Sequence, residues 1–239
     1  MDWSVLQIPM YEFADDGSIL PNFAFHRTWD HVHSRCIEYP WVASRYHGED
    51  AILDVGSAKS NPQWLWWLNS LRKQVVLVDL DTLPNDCDHI HCEKANILNL
   101  PFHDDAFDVV FAVSVIEHVG LRNAQVSDAS RNIVSPDGDV LAFNELIRVL
   151  RPGGRLLMTV PFGTVDGLIL EGSTRCYTAR SLRRFASAGT GACEYYQFAK
   201  KRSPYHSGIY TWIRMPPDKA QARHRKHTDG VLCGEWTKK

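Results

Sequence analysis

From residue 51 to residue 160 the chain alternates short apolar runs with stretches of helical spacing. That alternation is the pattern of a parallel sheet joined by crossover helices. Ala51-Ile-Leu-Asp-Val-Gly56 reads as a buried strand that stops at a glycine, and residues 75–78 as a second strand closing on Asp79. A short third strand is predicted near residues 89–95. Residues 107–115 form a β-branched run long enough to cross the sheet centre, and residues 155–160 a fifth strand. Between the first two strands, Asn61 and Pro62 supply a helix start, with Asn as N-cap and Pro at the first helical position. Trp64, Leu65, Leu68 and Leu71 give that helix an apolar face. Residues 137–150 also have helical spacing, with Leu141, Leu146, Val149 and Leu150 on one side, and Pro152-Gly153-Gly154 stops them.

Beyond residue 161 the pattern changes. Residues 178–187 read as a helix, and residues 193–199 and 208–215 as two β-rich segments across a turn-like stretch at 200–204. The two would pair antiparallel at the sheet edge. Residues 219–227 form a polar, basic run, so residues 216–239 are expected to be a solvated helix or a loose C-terminal tail. The expected division is an N-terminal helical cap over 1–50, an α/β domain over 51–215 and the tail over 216–239.

Length and composition narrow the class. A chain of 239 residues is a one-domain length that needs no disulfide or metal staple. Hydrophobic residues at 44% and charged residues at 23% exclude a disordered or fibrous chain. The net charge of −2 argues against a dedicated nucleic-acid binder, which would carry a basic excess. Cys36, Cys87, Cys92, Cys176, Cys193 and Cys233 are scattered in a way that suits reduced thiols. No basic n-region opens the chain, and no apolar stretch is long enough for a membrane span. A cytoplasmic location follows as the expectation, with no membrane partner and with a homodimer left open.

The strongest chemical signal is the first strand, its loop and the acid ending the second strand. Ligands of open α/β sheets bind beyond the carboxyl ends of the strands. Gly56 lets the backbone approach a ligand, and Asp79, 23 residues on, suits ribose hydroxyls. The loop at 56–61 has one glycine where a dinucleotide fingerprint has three. A ligand with an adenosine but no phosphates fits better.

Six motifs then appear in order: Leu53-Asp-Val-Gly56, Val78-Asp79, Leu100-Pro-Phe102, Phe107-Asp-Val-Val110, Ile116-Glu-His-Val119 and Arg148-Val-Leu-Arg-Pro-Gly-Gly154. Each alone is weak, but the ordered set resembles the class I S-adenosylmethionine-dependent methyltransferases over residues 34–190. The long segment from Glu117 to Asp139 and the residues around Ser34 to Trp41 resemble a branch associated with glycan and sugar pathways. The resemblance implies a Rossmann-like, mostly parallel seven-stranded sheet with an antiparallel last strand, and S-adenosylmethionine as cofactor, leaving S-adenosylhomocysteine as product. It also implies Asp54, Gly56 and Ser57 as the floor under the methionine part and Asp79 as ribose ligand. Leu80 and Ile97 would pack on the adenine, and Asn96 would accept from its amino group. Ser114 would line the sulfonium site, and Arg35 would clamp the cofactor carboxylate. Ala58 and Ser60 stand where many members carry glycine.

For catalysis, His118 is the candidate general base, since it follows the fourth strand and imidazole titrates near neutrality. Glu117 beside it would orient the ring or bind substrate. The competing reading is that both merely begin a helix. Cys87, His89, His91 and Cys92 invite a zinc reading, but no second ligand pair at structural-zinc spacing follows, so no metal is expected. No Gly-x-Ser-x-Gly elbow supports a hydrolase. Aromatic and polar residues outside the central strands, among them Tyr39, Trp41, Tyr46, Arg175 and Tyr177, suit either core packing or a small-molecule pocket. The expected activity is methyl transfer to a small molecule, favouring a hydroxyl of a sugar or glycan-related metabolite. Two rivals are an RNA or protein methyltransferase using Lys200-Lys-Arg202 and the 219–227 run, and a non-catalytic cofactor-binding partner subunit.

Overall fold

The computed structural model describes residues 34–60, 62–81, 87–122, 134–203, 206–219 and 229–239. Helix α1 (Arg35–Ser44) precedes β1 (Ala51–Val55), α2 (Pro62–Ser70), β2 (Gln74–Asp79), β3 (Ile90–Lys94) and β4 (Phe107–Val113). Helix α3 (Gly138–Val149) then leads into β5 (Leu150–Pro161). Strands β6 (Gly167–Ile169) and β7 (Thr174–Cys176) form a separate hairpin. The chain ends with β8 (Gly189–Ser203), β9 (His206–Arg214) and β10 (Gly230–Thr237).

One eight-stranded sheet runs in the order β3-β2-β1-β4-β5-β10-β8-β9. Strands β3, β2, β1, β4 and β5 are mutually parallel, while β10 lies antiparallel between β5 and β8. This is a mixed α/β, Rossmann-like sheet, mostly parallel at its centre with antiparallel later strands. Strand β9 pairs antiparallel with β8 at the edge, as expected, and brings the sheet to eight strands rather than seven.

Side-chain alternation along the central strands builds a core on each face. Leu53, Val55, Val110 and Ala112 pack toward α3, against Ala142, Phe143 and Leu146. Ile52, Val109, Phe111 and Val113 pack toward α1 and α2, against Ile37, Trp41, Trp64 and Leu68. Leu141 was expected on the apolar side of α3 and instead lies exposed, because Ala142, Phe143, Leu146 and Ile147 set the buried stripe. Two of the quoted motifs meet physically. Arg148 donates to the carbonyls of Leu100 and Phe102, and Glu145 accepts from the Leu100 N–H at 2.8 Å.

Three expectations need correction. Residues 178–187 hold only a 3₁₀ turn at Ser181–Arg184, where Thr178 and Ser181 bond each other's backbone and compete with the helix ladder. The Pro152-Gly153-Gly154 run does not precede the fifth strand but lies within β5, where Gly153 takes φ 76° at a register shift. The C-terminal segment 216–239 is not a tail throughout: β10 occupies 230–237 and is largely buried. Gly234 breaks its apolar pattern for a packing reason, since a Cβ there would lie 2.5 Å from the Trp236 ring. Asn61, residues 1–33 of the expected cap and most of the basic run at 219–227 lie outside the described residues. Among the described residues no helix is long and apolar enough to cross a membrane, and Cys193 and Cys233 are free thiols.

Leu232→Ala should cost about 2–5 kcal/mol, the range for a large-to-small change in a packed core, because Leu232 is fully buried. A urea midpoint equal to that of the wild type would show that β10 is the loose tail first expected.

Candidate active site

Strand order reverses between β1 and β4, which pair with each other while their neighbours lead away in opposite directions. Such a reversal opens a crevice beyond the carboxyl ends of the two strands. Gly56 turns the chain there at φ 75°, and its N–H donates to the Val78 carbonyl at 2.8 Å. A Cβ on Gly56 would lie 2.4 Å from Val115 Cγ2. The loop after β1 therefore rests directly on the loop after β4, and glycine is required by both conformation and space.

Asp54 and Ser57 are buried beneath this turn. Asp54 Oδ1 accepts from Trp64 Nε1 at 3.1 Å, while its Oδ2 has no partner among the described residues. Burial pushes the Asp54 carboxyl up to about 7, against the pull of hydrogen bonds from Ser57 and Trp64. Asp79 accepts from the Ala58 N–H at 2.9 Å and from the Asp81 N–H at 3.0 Å. The bond from Ala58 closes the loop after β1. Two bonds leave a carboxylate with further acceptor capacity for ribose hydroxyls. Leu80 and Ile97 are half-buried at the same edge. Asn96 Oδ1 accepts from the Leu98 N–H at 2.9 Å.

The expected Ser114 and Arg35 sit together. Ser114 takes φ 47° just past β4, and its carbonyl accepts from Arg35 Nη2 at 3.3 Å. Between them lies a residue that sequence reasoning missed. Glu38, fully buried, accepts from Arg35 Nη1 at 2.6 Å, Ser114 Oγ at 2.6 Å and Thr159 Oγ1 at 2.9 Å. Its signal was present as an Arg–Glu pair three apart on one helix face. Burial works against the Glu38 carboxylate, but Arg35 and the two hydroxyls outweigh it and hold its pKa down. Burial likewise opposes the Arg35 charge, and Glu38, Tyr39 and Glu117 outweigh that, so the guanidinium is held protonated.

Glu117 and His118 lie on a 3₁₀ turn, Ile116–His118, at the same edge. His118 Nδ1 lies 2.8 Å from the Ser173 carbonyl on the β6–β7 hairpin and 3.3 Å from Thr174 Oγ1. Its Nε2 is 3.8 Å from Glu117 Oε1. Glu117 is 1% exposed, its Oε2 has no partner among the described residues, and burial raises its pKa against His118 and Arg35. Arg175, a pocket candidate by sequence, is instead buried and spends its guanidinium on the carbonyls of Glu117, Val119, Ser135 and Pro136. It fastens the His118 turn from behind. Tyr39, Trp41 and Tyr177 are also core residues, with Tyr39 stacked on Trp64 at 4.7 Å. Among the described residues, no three His, Cys, Asp or Glu side chains gather as a metal site.

Residues 53–158 match the methyltransferase domain family. That match spans the sheet from β1 to β5 and stops short of the later strands. The chain is 28% identical over 149 residues to a demethylmenaquinone methyltransferase of Clavibacter sepedonicus, covering 61% of this chain and 53% of that protein. It is also 28% identical over 158 residues to the ubiquinone/menaquinone biosynthesis C-methyltransferase UbiE of Chromobacterium violaceum, covering 62% and 54%. The chain thus spans about half the length of these relatives. A solved 1,6-didemethyltoxoflavin-N1-methyltransferase of Burkholderia thailandensis, bound to S-adenosylhomocysteine, shares the fold with a TM-score of 0.51. It has 15% identity, over 80% of this chain and 72% of that one. The fold is the Rossmann-like fold of that solved methyltransferase.

The residues at the strand ends suit S-adenosylmethionine. S-adenosylmethionine carries an adenosine, an ammonium, a carboxylate and a sulfonium, and no phosphate. The Asp54 oxygen without a partner among the described residues suits a cation, Asp79 suits ribose hydroxyls, and the Arg35 charge suits a carboxylate.

A carboxyl whose pKa is raised on folding keeps a proton that the unfolded chain has lost. Folding therefore grows less favourable as pH climbs from about 4, the unfolded value, to about 7, by at most about 1.4 kcal/mol per pH unit. Asp54→Asn should lessen this slope, so that between pH 5 and pH 8 the wild-type Tm falls further than the variant's. Parallel curves would contradict the burial argument. Gly56→Ala should weaken S-adenosylhomocysteine binding at least tenfold in calorimetry, and an unchanged affinity would show that the close approach to Val115 is not needed.

Proposed function

We propose that the protein is an S-adenosylmethionine-dependent methyltransferase whose small-molecule acceptor carries a phenolic or enolic hydroxyl, with His118 as the general base. The observation that carries this reading is the hydrogen bond from His118 Nδ1 to the Ser173 carbonyl. A carbonyl only accepts, so Nδ1 bears the ring proton and the neutral imidazole keeps its lone pair on Nε2. The ring is one-third exposed at the crevice edge, within reach of a bound acceptor.

When bound, the cofactor supplies a methyl group activated by a sulfonium. The chain's own residues do the rest. Arg35 holds the carboxylate end, Asp54 faces the ammonium, Asp79 takes the ribose, and Asn96, Leu80 and Ile97 hold the adenine. Ser57 and Ser114 line the floor. Fixing both reactants in line supplies about 7–11 kcal/mol of the barrier reduction. His118 Nε2 takes the acceptor proton, which contributes about 10²–10⁴-fold. Glu117 lies against the same nitrogen and stabilises the imidazolium that results.

A deprotonated phenol or enol is nucleophilic at oxygen and at the adjacent ring carbon, so one base serves transfer to either atom. Carbon is favoured because the relatives named above are quinone-pathway methyltransferases, one of them a C-methyltransferase. The sugar or glycan hydroxyl expected from sequence draws no support from these relatives. The rival macromolecular reading rests on Lys200-Lys-Arg202, within β8, and on the 219–227 run, which lies almost wholly outside the described residues.

Calorimetry should detect S-adenosylmethionine binding, and failure at millimolar ligand would sink the reading. Against a panel of phenols and reduced quinones, His118→Ala should lower turnover at least a hundredfold with cofactor affinity nearly intact. A loss below about tenfold would mean alignment without a dedicated base.

A further inference from the structure

Ser114 is held at every polar group. Its N–H donates to Thr159, its hydroxyl donates to Glu38, and its carbonyl accepts from Arg35. The next residue, Val115, fills the space a Gly56 Cβ would need. Arg35, Ser114, Val115 and Gly56 therefore form one continuous wall of the crevice. Glu38 stands behind that wall, with no exposed surface, while the Arg35 side chain remains about one-quarter exposed.

A buried carboxylate is costly unless its oxygens are paired. Here Oε1 takes the hydroxyls of Ser114 and Thr159 and Oε2 takes the guanidinium. Two hydroxyls and a peptide joint need no ion pair to pack. The carboxylate is required by the arginine, whose long side chain would otherwise lose rotamer freedom on meeting a ligand. We propose that Glu38 is a positioning residue for the cofactor, holding the Arg35 guanidinium against the Ser114 carbonyl so that the cofactor's carboxylate meets a charge already in place. This rests on the reading that the crevice takes S-adenosylmethionine.

Glu38 also bears a negative charge near an incoming carboxylate, so positioning and repulsion oppose each other. The two effects predict opposite outcomes for Glu38→Gln, which keeps the shape and removes the charge. The test compares, by calorimetry, S-adenosylmethionine with its decarboxylated form, which lacks only the carboxylate. Glu38→Gln should weaken S-adenosylmethionine at least tenfold and leave the decarboxylated ligand within twofold of wild type. Equal weakening of both ligands would reduce Glu38 to a structural joint and overturn the proposal. Unchanged or tighter S-adenosylmethionine binding would overturn it as well. A wild-type protein that binds neither ligand would instead remove the cofactor reading beneath it. Should Glu38→Gln fail to fold, Arg35→Lys keeps the charge and loses the fork. It should show the same selective loss, and an unchanged ratio of the two affinities would overturn the proposal.

Discussion

The packing of Gly56 against Val115 is the constraint on which the site depends. Strands β1 and β4 pair side by side, and the chain must leave their carboxyl ends in different directions. Without a Cβ, the β1 turn rests on the β4 turn, so Asp54, Ser57, Ser114 and the 117–118 pair all lie within a few residues of those two strand ends. From the next strand over, Asp79 closes the same loop through the Ala58 N–H. Sheet topology thus concentrates the chemistry, and one backbone contact sets the spacing.

Buried carboxyl groups in this protein divide into two kinds. Glu194 receives Trp41 Nε1 at 3.0 Å, Arg45 at 2.8 Å and the Tyr196 hydroxyl, and so fastens α1 to β8. Asp139 receives Tyr177 and Arg184 in the same manner. These groups join elements, and their oxygens are covered. Asp54 and Glu117 each keep one oxygen without a partner among the described residues, and burial raises both. Uncompensated burial of that kind is tolerated where a ligand completes the set. Glu38 belongs with the covered kind but touches the site through Arg35.

The sequence made the site legible where local chemistry and chain order coincide. Gly56, Asp79 and the strand runs around them follow from period-two apolar patterning and the need for a turn. Strand β10 was hidden because Gly234 and Glu235 interrupt its apolar run and a basic stretch precedes it. Only its neighbours β5 and β8 explain it. The helix expected over 178–187 failed because Thr178 and Ser181 satisfy the backbone locally. Arg175 and Glu38 were unreadable as to role, since their partners lie 39–58 and 76–121 residues away, apart from Arg35.

A crystal structure with S-adenosylhomocysteine tests the central claim most directly. The account places the ligand's amino-acid end between Asp54 and Arg35, its ribose on Asp79, and its sulfur facing His118 Nε2 across an open acceptor space. A ligand whose carboxylate lies away from Arg35, or whose sulfur faces away from His118, would contradict it.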